Sequence, residues 1–197
     1  MNLEILVSEV LKIIENIKNH GNFTKENNFI DYKLKLNHYG ITDETDIFLK
    51  NFAKDILSFA NNNGGIILIG FDEDPTTKQI SDAGLNQVDV DIFSKIDLNK
   101  ITQKFDSITK CTIKTDLQQF QIGARKFYYI LIEKNNDVTI PITDFIDYKL
   151  KKGEIIYRVS GKNETANENS HKLNSFLQLK ANEKSKEFME IWSKLLP

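Results

Sequence analysis

The sequence holds a single cysteine, Cys111, in 197 residues. That excludes an internal disulfide and fits a reducing compartment. No run of about 18 apolar residues occurs, so no stretch reads as a membrane-spanning helix. Residues 1–17 are broken by Glu4, Ser8, Glu9, Lys12 and Glu15 and do not read as a signal peptide. The expectation is a soluble, cytoplasmic protein with no membrane partner. Net positive charge is also lacking: 26 Lys and Arg against 28 Asp and Glu give −2. Phosphate binding normally leaves a basic footprint, so any nucleic-acid contact has to rest on a local cluster. Short catalytic signatures are missing too. There is no glycine-rich loop ending in Lys-Ser or Lys-Thr, no Cys-x-x-Cys, and no histidine pair at helical spacing. His20, His38 and His171 stand apart in loop-like surface contexts, and no serine or cysteine has an obvious base beside it.

What is present suits one domain with an appendage: 40% hydrophobic residues and 13 Phe can fill an ordinary core. The chain is organised around Phe59 to Asp74. Phe48, Leu49, Phe52, Ala53, Ile56 and Leu57 give a helix an apolar stripe that runs into this stretch, with Lys50, Lys54 and Asp55 facing water. Asn61, Asn62 and Asn63 cap that helix or bind something there, and Gly64 and Gly65 turn the chain. Ile66 to Ile69 is apolar on both faces and reads as a central buried strand. Gly70 ends it, and Asp72, Glu73 and Asp74 follow.

Upstream, Leu3 to Ile17 reads as an amphipathic helix stopped by Gly21. Phe29 to Leu36 reads as a strand that sets Asp31 and Lys33 on one face. Downstream, Pro75 to Asp91 reads as an exposed loop, Asp97 to Ile108 as a helix, and Lys110 to Phe120 as a half-exposed strand. Gly123 turns into a second buried strand, Phe127 to Ile132. After a long connection comes a last strand, Glu154 to Val159, then an Asn-rich hinge from Asn163 to Asn169. The tail from Ser170 is helical, with Phe176, Leu177, Leu179, Phe188, Ile191, Trp192 and Leu195 as its apolar candidates. The order predicts an α+β, or mixed α/β, domain. Its parts are a helix over 1–22, a core over 23–166 and a helical extension over 167–197.

Carboxylates are the remaining chemistry. Glu26 and Asp31 flank the start of one strand, and Asp72, Glu73 and Asp74 end the buried one. Were those strands neighbours, the group could bind a hard divalent cation and activate water against a phosphodiester. Lys33 would then neutralise phosphate. From the residues alone, a surface Asp31–Lys33 pair and a solvated acidic turn are the favoured reading.

The sequence resembles the Schlafen core domain, also called AlbA_2 or divergent AAA-4. The resemblance lies in Glu26-x4-Asp31-Tyr32-Lys33, in Phe59-Ala60-Asn61-Asn62-Asn63-Gly64-Gly65, and in the strand leading to Gly70-Phe71-Asp72-Glu73-Asp74. It continues through Tyr129 to Glu133 before Pro141, and Ile156-Tyr157-Arg158-Val159-Ser160-Gly161 to Ala166. It implies a nucleic-acid-binding α/β fold and, by likeness to the Schlafen nucleases, metal-dependent cutting of tRNA or rRNA with Mg²⁺ or Mn²⁺. Carried over by position, the catalytic and metal-binding acids fall on Glu26, Asp31 and Glu73, with Asp72 as substitute and Lys33 beside them. Asp31 stands where the family has Glu, and Glu73 where it has Asp. Lys149, Lys151, Lys152, Arg158 and Lys162 form the basic cluster expected to meet nucleic acid, RNA favoured over DNA. Asn61, Gly64 and Gly65 are the structural turn.

The leading expectation is a metal-dependent endoribonuclease, an effector of bacterial anti-phage defence. Its rivals are a non-catalytic DNA- or RNA-binding or regulatory module, and a nucleotide-binding domain using the Asn-Gly-Gly turn. The terminal helices are expected to complete the core or to join a second copy or a partner protein.

Overall fold

A computed structural model describes the backbone of residues 1–195 and the side chains of residues 1–189. Among the described residues, five α-helices and eight strands follow in the order α1 Leu3–His20, β1 Ile30–Lys33, α2 Glu44–Ala60, β2 Gly65–Ile69, β3 Asp72–Glu73, β4 Ile80–Ser81, α3 Gln87–Ser94, α4 Leu98–Thr109, β5 Thr115–Ile122, β6 Arg125–Ile132, β7 Ile156–Val159, β8 Lys162–Thr165 and α5 Ser170–Leu195. The chain divides into two compact units, Met1–Glu164 and Thr165–Pro197.

The first unit is built on a four-stranded sheet of order β1-β2-β6-β5. β1 runs parallel to β2, and β6 lies antiparallel to both β2 and β5. Every residue of β2 is buried, as its unbroken apolar run requires of an interior strand. Ile67 and Ile69 face α2 and α4, in a core with Phe48, Phe52, Ile56, Ile101 and Phe105. Ile66 and Leu68 face the other way, against Leu6, Val10, Ile13, Ile14 and Ile17 of α1. Helices thus cover both faces. The mixed α+β expectation holds, with α1 built into the first unit.

The differences from the sequence reading have physical causes. β1 spans only Ile30–Lys33, because Leu34 is exposed and the chain leaves the sheet there. The stretch read as a loop over Pro75 to Asp91 carries β4 and the start of α3, whose buried residues Asp89, Val90 and Phe93 are too few to show a period. β5 begins at Thr115 rather than Lys110; Ile113 is buried without belonging to a strand.

Asp55, read as facing water, is buried. α2 is covered on a second side by β7, so most of its circumference is inside. The second unit contains α5, on which Phe176 is buried while Leu177 and Phe188 are exposed. The side chains of Ile191, Trp192 and Leu195 lie outside the described residues. Among the described residues no helix is long and apolar enough to cross a membrane.

Candidate functional site

The Asn-Asn-x-Gly-Gly turn fixes what surrounds the site. Asn61, fully buried, donates from Nδ2 to the carbonyls of Thr139 (2.9 Å) and Ile156 (2.8 Å) and accepts the Thr139 N–H (2.7 Å). Asn62 holds both backbone groups of Arg158, donating to its carbonyl at 2.9 Å and accepting its N–H at 3.0 Å. Gly64 has φ +79°, and a Cβ there would meet the Ile132 carbonyl oxygen at 2.6 Å. The turn therefore clamps β7 and the 139 region to the end of α2. It sits at a helix C-terminus, where backbone carbonyls and the negative end of the dipole gather. That is the wrong end for phosphate, so the nucleotide-binding reading loses the feature that motivated it.

Asn62 delivers Arg158 to the interior. The guanidinium is 1% exposed. It donates to Asp31 Oδ1 at 2.6 Å, to the Asn27 carbonyl at 3.0 Å and to Asn163 Oδ1 at 3.3 Å, and lies 4.6 Å from the centre of the Phe59 ring. The sequence expectation that Arg158 meets nucleic acid is corrected here: its charge is spent inside the fold. Asn163, read as a hinge residue, is likewise pinned. Its Nδ2 donates to Asp55 at 2.5 Å and its Oδ1 accepts the Ser58 hydroxyl at 2.7 Å.

Asp31 and Lys33 share the face of β1 that looks toward α2, as the alternation predicted. Lys33 Nζ lies 2.6 Å from Asp31 Oδ2 and 3.5 Å from Asp55 Oδ2. Burial alone would lower the Lys33 pKa, but the Asp55 and Asp31 charges outweigh it and hold the ammonium above its ordinary value. Burial pushes the Asp55 carboxyl up, with Lys33, Asn163 and Arg158 pulling against it. Asp55, Ser58 and Asn163 escaped the sequence reading. The signal that could have found Asp55 is a carboxylate nearly two helical turns before the Asn-rich cap.

Glu26 accepts the outward-facing N–H of Tyr32 on the edge strand, at 3.1 Å. Partial burial raises its pKa, and the charges of Asp31 and Glu73 push in the same direction against the Tyr32 bond. The charges of Asp31 and Glu73 thus both act on the Glu26 carboxyl. Glu73 belongs to the β3–β4 hairpin and is half-buried beside Lys78 (3.5 Å), whereas Asp72 is exposed. Asp74 is occupied by its own turn: it accepts the N–H groups of Thr76 and Thr77, which hold its carboxyl below the ordinary range.

The raised Glu26 value carries a stability prediction. The folded chain binds that proton more tightly than the unfolded one, so the benefit is complete below about pH 4.3 and lost as pH rises through the folded value. Glu26→Gln keeps an oxygen for Tyr32 and removes the charge. It is expected to raise the urea midpoint at pH 7, with the gain vanishing at pH 4.

Of the basic residues, Lys149, Lys151, Lys152 and Lys162 are exposed. Lys149 and Lys50 line a cleft of about 480 Å³ with Ile41, Asp46, Ile146, Asp147 and Tyr148. Lysines beside an aromatic face are the pairing that single-stranded nucleic acid uses.

Two kinds of likeness bear on this geometry. A family profile described as Schlafen, AlbA_2 matches residues 26–167. That span starts at Glu26 and includes every residue of the charged network. No curated protein matches the chain. Among solved structures, the DIP2311 protein from Corynebacterium diphtheriae superposes with a TM-score of 0.51 at 16% identity, over 82% of this chain and 31% of that one. The chain thus spans about a third of that protein's length. The N-terminal domain of a RecG-related protein from Nitrosomonas europaea gives a TM-score of 0.39 at 16% identity, over 78% of this chain and 89% of that one.

Proposed function

Because this chain belongs to the Schlafen AlbA_2 family, whose functions are nucleic-acid-related, we propose that it hydrolyses RNA phosphodiester bonds with a divalent cation. The observation that carries the reading is the shared field of Glu26, Asp31 and Glu73 beside Lys33. The Glu26 carboxyl is pushed up first by its burial and then by the two neighbouring acids, and a cation beside it would offset both.

The donor set decides which residues would hold the ion. Among the described residues no three of His, Cys, Asp and Glu are spaced to hold a metal together. Both Asp31 oxygens already lie against cations, Oδ1 accepting from Arg158 and Oδ2 beside the Lys33 ammonium, at 2.6 Å each. Glu26 and Glu73 remain. Mg²⁺ takes one or two protein carboxylates, keeps several waters and accepts substrate phosphate, so Glu26 and Glu73 would be its protein ligands. When bound, the ion supplies an activated water and a Lewis acid for the phosphoryl oxygen.

The chain's own residues do the rest. Asp31, neutralised by two cations, holds Lys33 in place rather than binding the ion. Lys33 presents an ammonium to the phosphate being cut. Lys149, Lys151, Lys152 and Lys162 position the RNA backbone, which carries no sequence information. An endoribonuclease of this kind suits an effector of anti-phage defence. A terminal helix joins a second copy or a partner protein.

The test is cleavage of bulk tRNA with Mn²⁺ or Mg²⁺. Cleavage is expected from the wild type and not with EDTA. Glu26→Gln and Glu73→Gln are each expected to lower the rate about 10²–10³-fold, in line with loss of one group that stabilises developing charge. The cleft of Lys50, Tyr148 and Lys149 favours a second reading, a non-catalytic RNA- or DNA-binding module. RNA that shifts on a gel and is never cut would establish that reading and end the first.

A further inference from the structure

We infer that Asp55, fixed by Asn163, is a positioning residue that holds the Lys33 ammonium at the mouth of the site. The functional consequence rests on the hydrolytic reading above; the structural one rests on geometry alone.

Four charged side chains meet here: Asp31, Lys33, Asp55 and Arg158. Two negative and two positive charges leave the group neutral. Three are buried, with side chains 5%, 10% and 1% exposed for Asp31, Asp55 and Arg158, while Lys33 is 34% exposed. Lys33 is thus the member that reaches solvent, and its orientation is what the others determine. A lysine ammonium is a point charge on a flexible four-carbon stem. One anion leaves it free to swing about that contact. Asp31 supplies one anchor from β1 at 2.6 Å, and Asp55 supplies another from α2 at 3.5 Å.

Asp55 is in turn held by a side chain that can adopt one orientation. Asn163 Nδ2 donates to Asp55 at 2.5 Å, while its Oδ1 accepts from Ser58 at 2.7 Å and from Arg158 at 3.3 Å. Reversing the amide would turn an NH₂ toward the Arg158 donor and an oxygen toward the Asp55 carboxylate. β8, α2 and β7 therefore converge on one carboxylate, and that carboxylate lies 3.5 Å from the partly exposed cation of the site.

The test reads the lysine directly. Ammonium ¹H–¹⁵N NMR of the full chain, with Lys33 assigned through Lys33→Arg, is expected to show a protected Lys33 signal in the wild type. The signal is expected to disappear in Asp55→Asn and to weaken in Asn163→Ala, with the backbone amide spectrum still folded. Should Asp55→Asn fail to fold, Asn163→Ala decides. In tRNA cleavage, Asp55→Asn is expected to lower kcat about 10²-fold, the scale of a 1 Å misplacement. KM should stay within about twofold, because RNA binding does not use Asp55. A Lys33 signal absent from the wild type, or unchanged in a folded variant, overturns the inference. Loss of the signal in a chain that never cuts RNA upholds the inference and removes the hydrolytic reading instead.

Discussion

Replacing Arg158 by alanine is expected to lower the unfolding free energy by about 3–5 kcal/mol, the cost of leaving a buried ion unpaired. The expectation follows from where the charge sits. Arg158 is 1% exposed, and its partner Asp31, 127 residues away in sequence, has little water to fall back on. The substitution also strands the Asn27 carbonyl and one bond to Asn163, and empties the space over the Phe59 ring. For a chain of this size the loss corresponds to roughly 6–20 °C in Tm. Arg158→Lys should recover only part of it. A lysine restores the charge but not the planar fork that serves Asp31, Asn27 and Asn163 at once. Urea unfolding of the three proteins at pH 7 measures both differences. If Arg158→Ala unfolded at the wild-type midpoint, the internal ion pair would not be holding the fold. Arg158 and Asp31 would then form a buried ion pair that contributes no net stability.

The burial of Arg158 shows what sequence patterns can and cannot reach. The apolar stripe of α2, the all-apolar β2 and the alternation of β1 are local, and each appeared where its period placed it. Period arguments see one covered face of a helix. Asp55 sits on the second covered face of α2, closed by β7 about a hundred residues later, so it read as part of a water-facing stripe with Lys50 and Lys54. Arg158 stood among Lys149, Lys151, Lys152 and Lys162, and looked like a fifth member of a surface cluster. Its counter-charges lie on β1 and α2, and no window of sequence contains them together. Glu26 and Asp31 were legible as candidates because the motif that holds them is short and continuous. That Arg158 lies against Asp31 was not, since the two are 127 residues apart.

Asn61→Asp is expected to be among the most damaging single-atom-group changes in the chain at neutral pH, and much less damaging in acid. The two side chains have the same shape. Asn61 donates both amide protons, to the carbonyls of Thr139 and Ile156, and accepts the Thr139 N–H. A carboxylate can keep only the last of these. Two carbonyl acceptors would be stranded at about 1–3 kcal/mol each, giving about 2–6 kcal/mol before any charge is counted. The position is fully buried, so the introduced carboxyl would face two carbonyl oxygens with no water between. Burial and those oxygens raise its pKa in the folded state above the ordinary aspartate value of about 3.9. A raised folded pKa means that the fold favours the protonated form. The variant is therefore closest to wild type below about pH 3.9, where the neutral acid restores one donor, and the deficit widens as pH rises through the folded value. Urea midpoints of wild type, Asn61→Asp and Asn61→Ala at pH 3.5, 5 and 7 separate the cases. Asn61→Ala should show a deficit independent of pH, and Asn61→Asp one that grows from pH 3.5 to pH 7. A pH-independent Asn61→Asp would mean that water reaches the Asn-Gly-Gly turn. In that event the turn would be open enough to bind a ligand, and the nucleotide reading would regain the ground it has lost here.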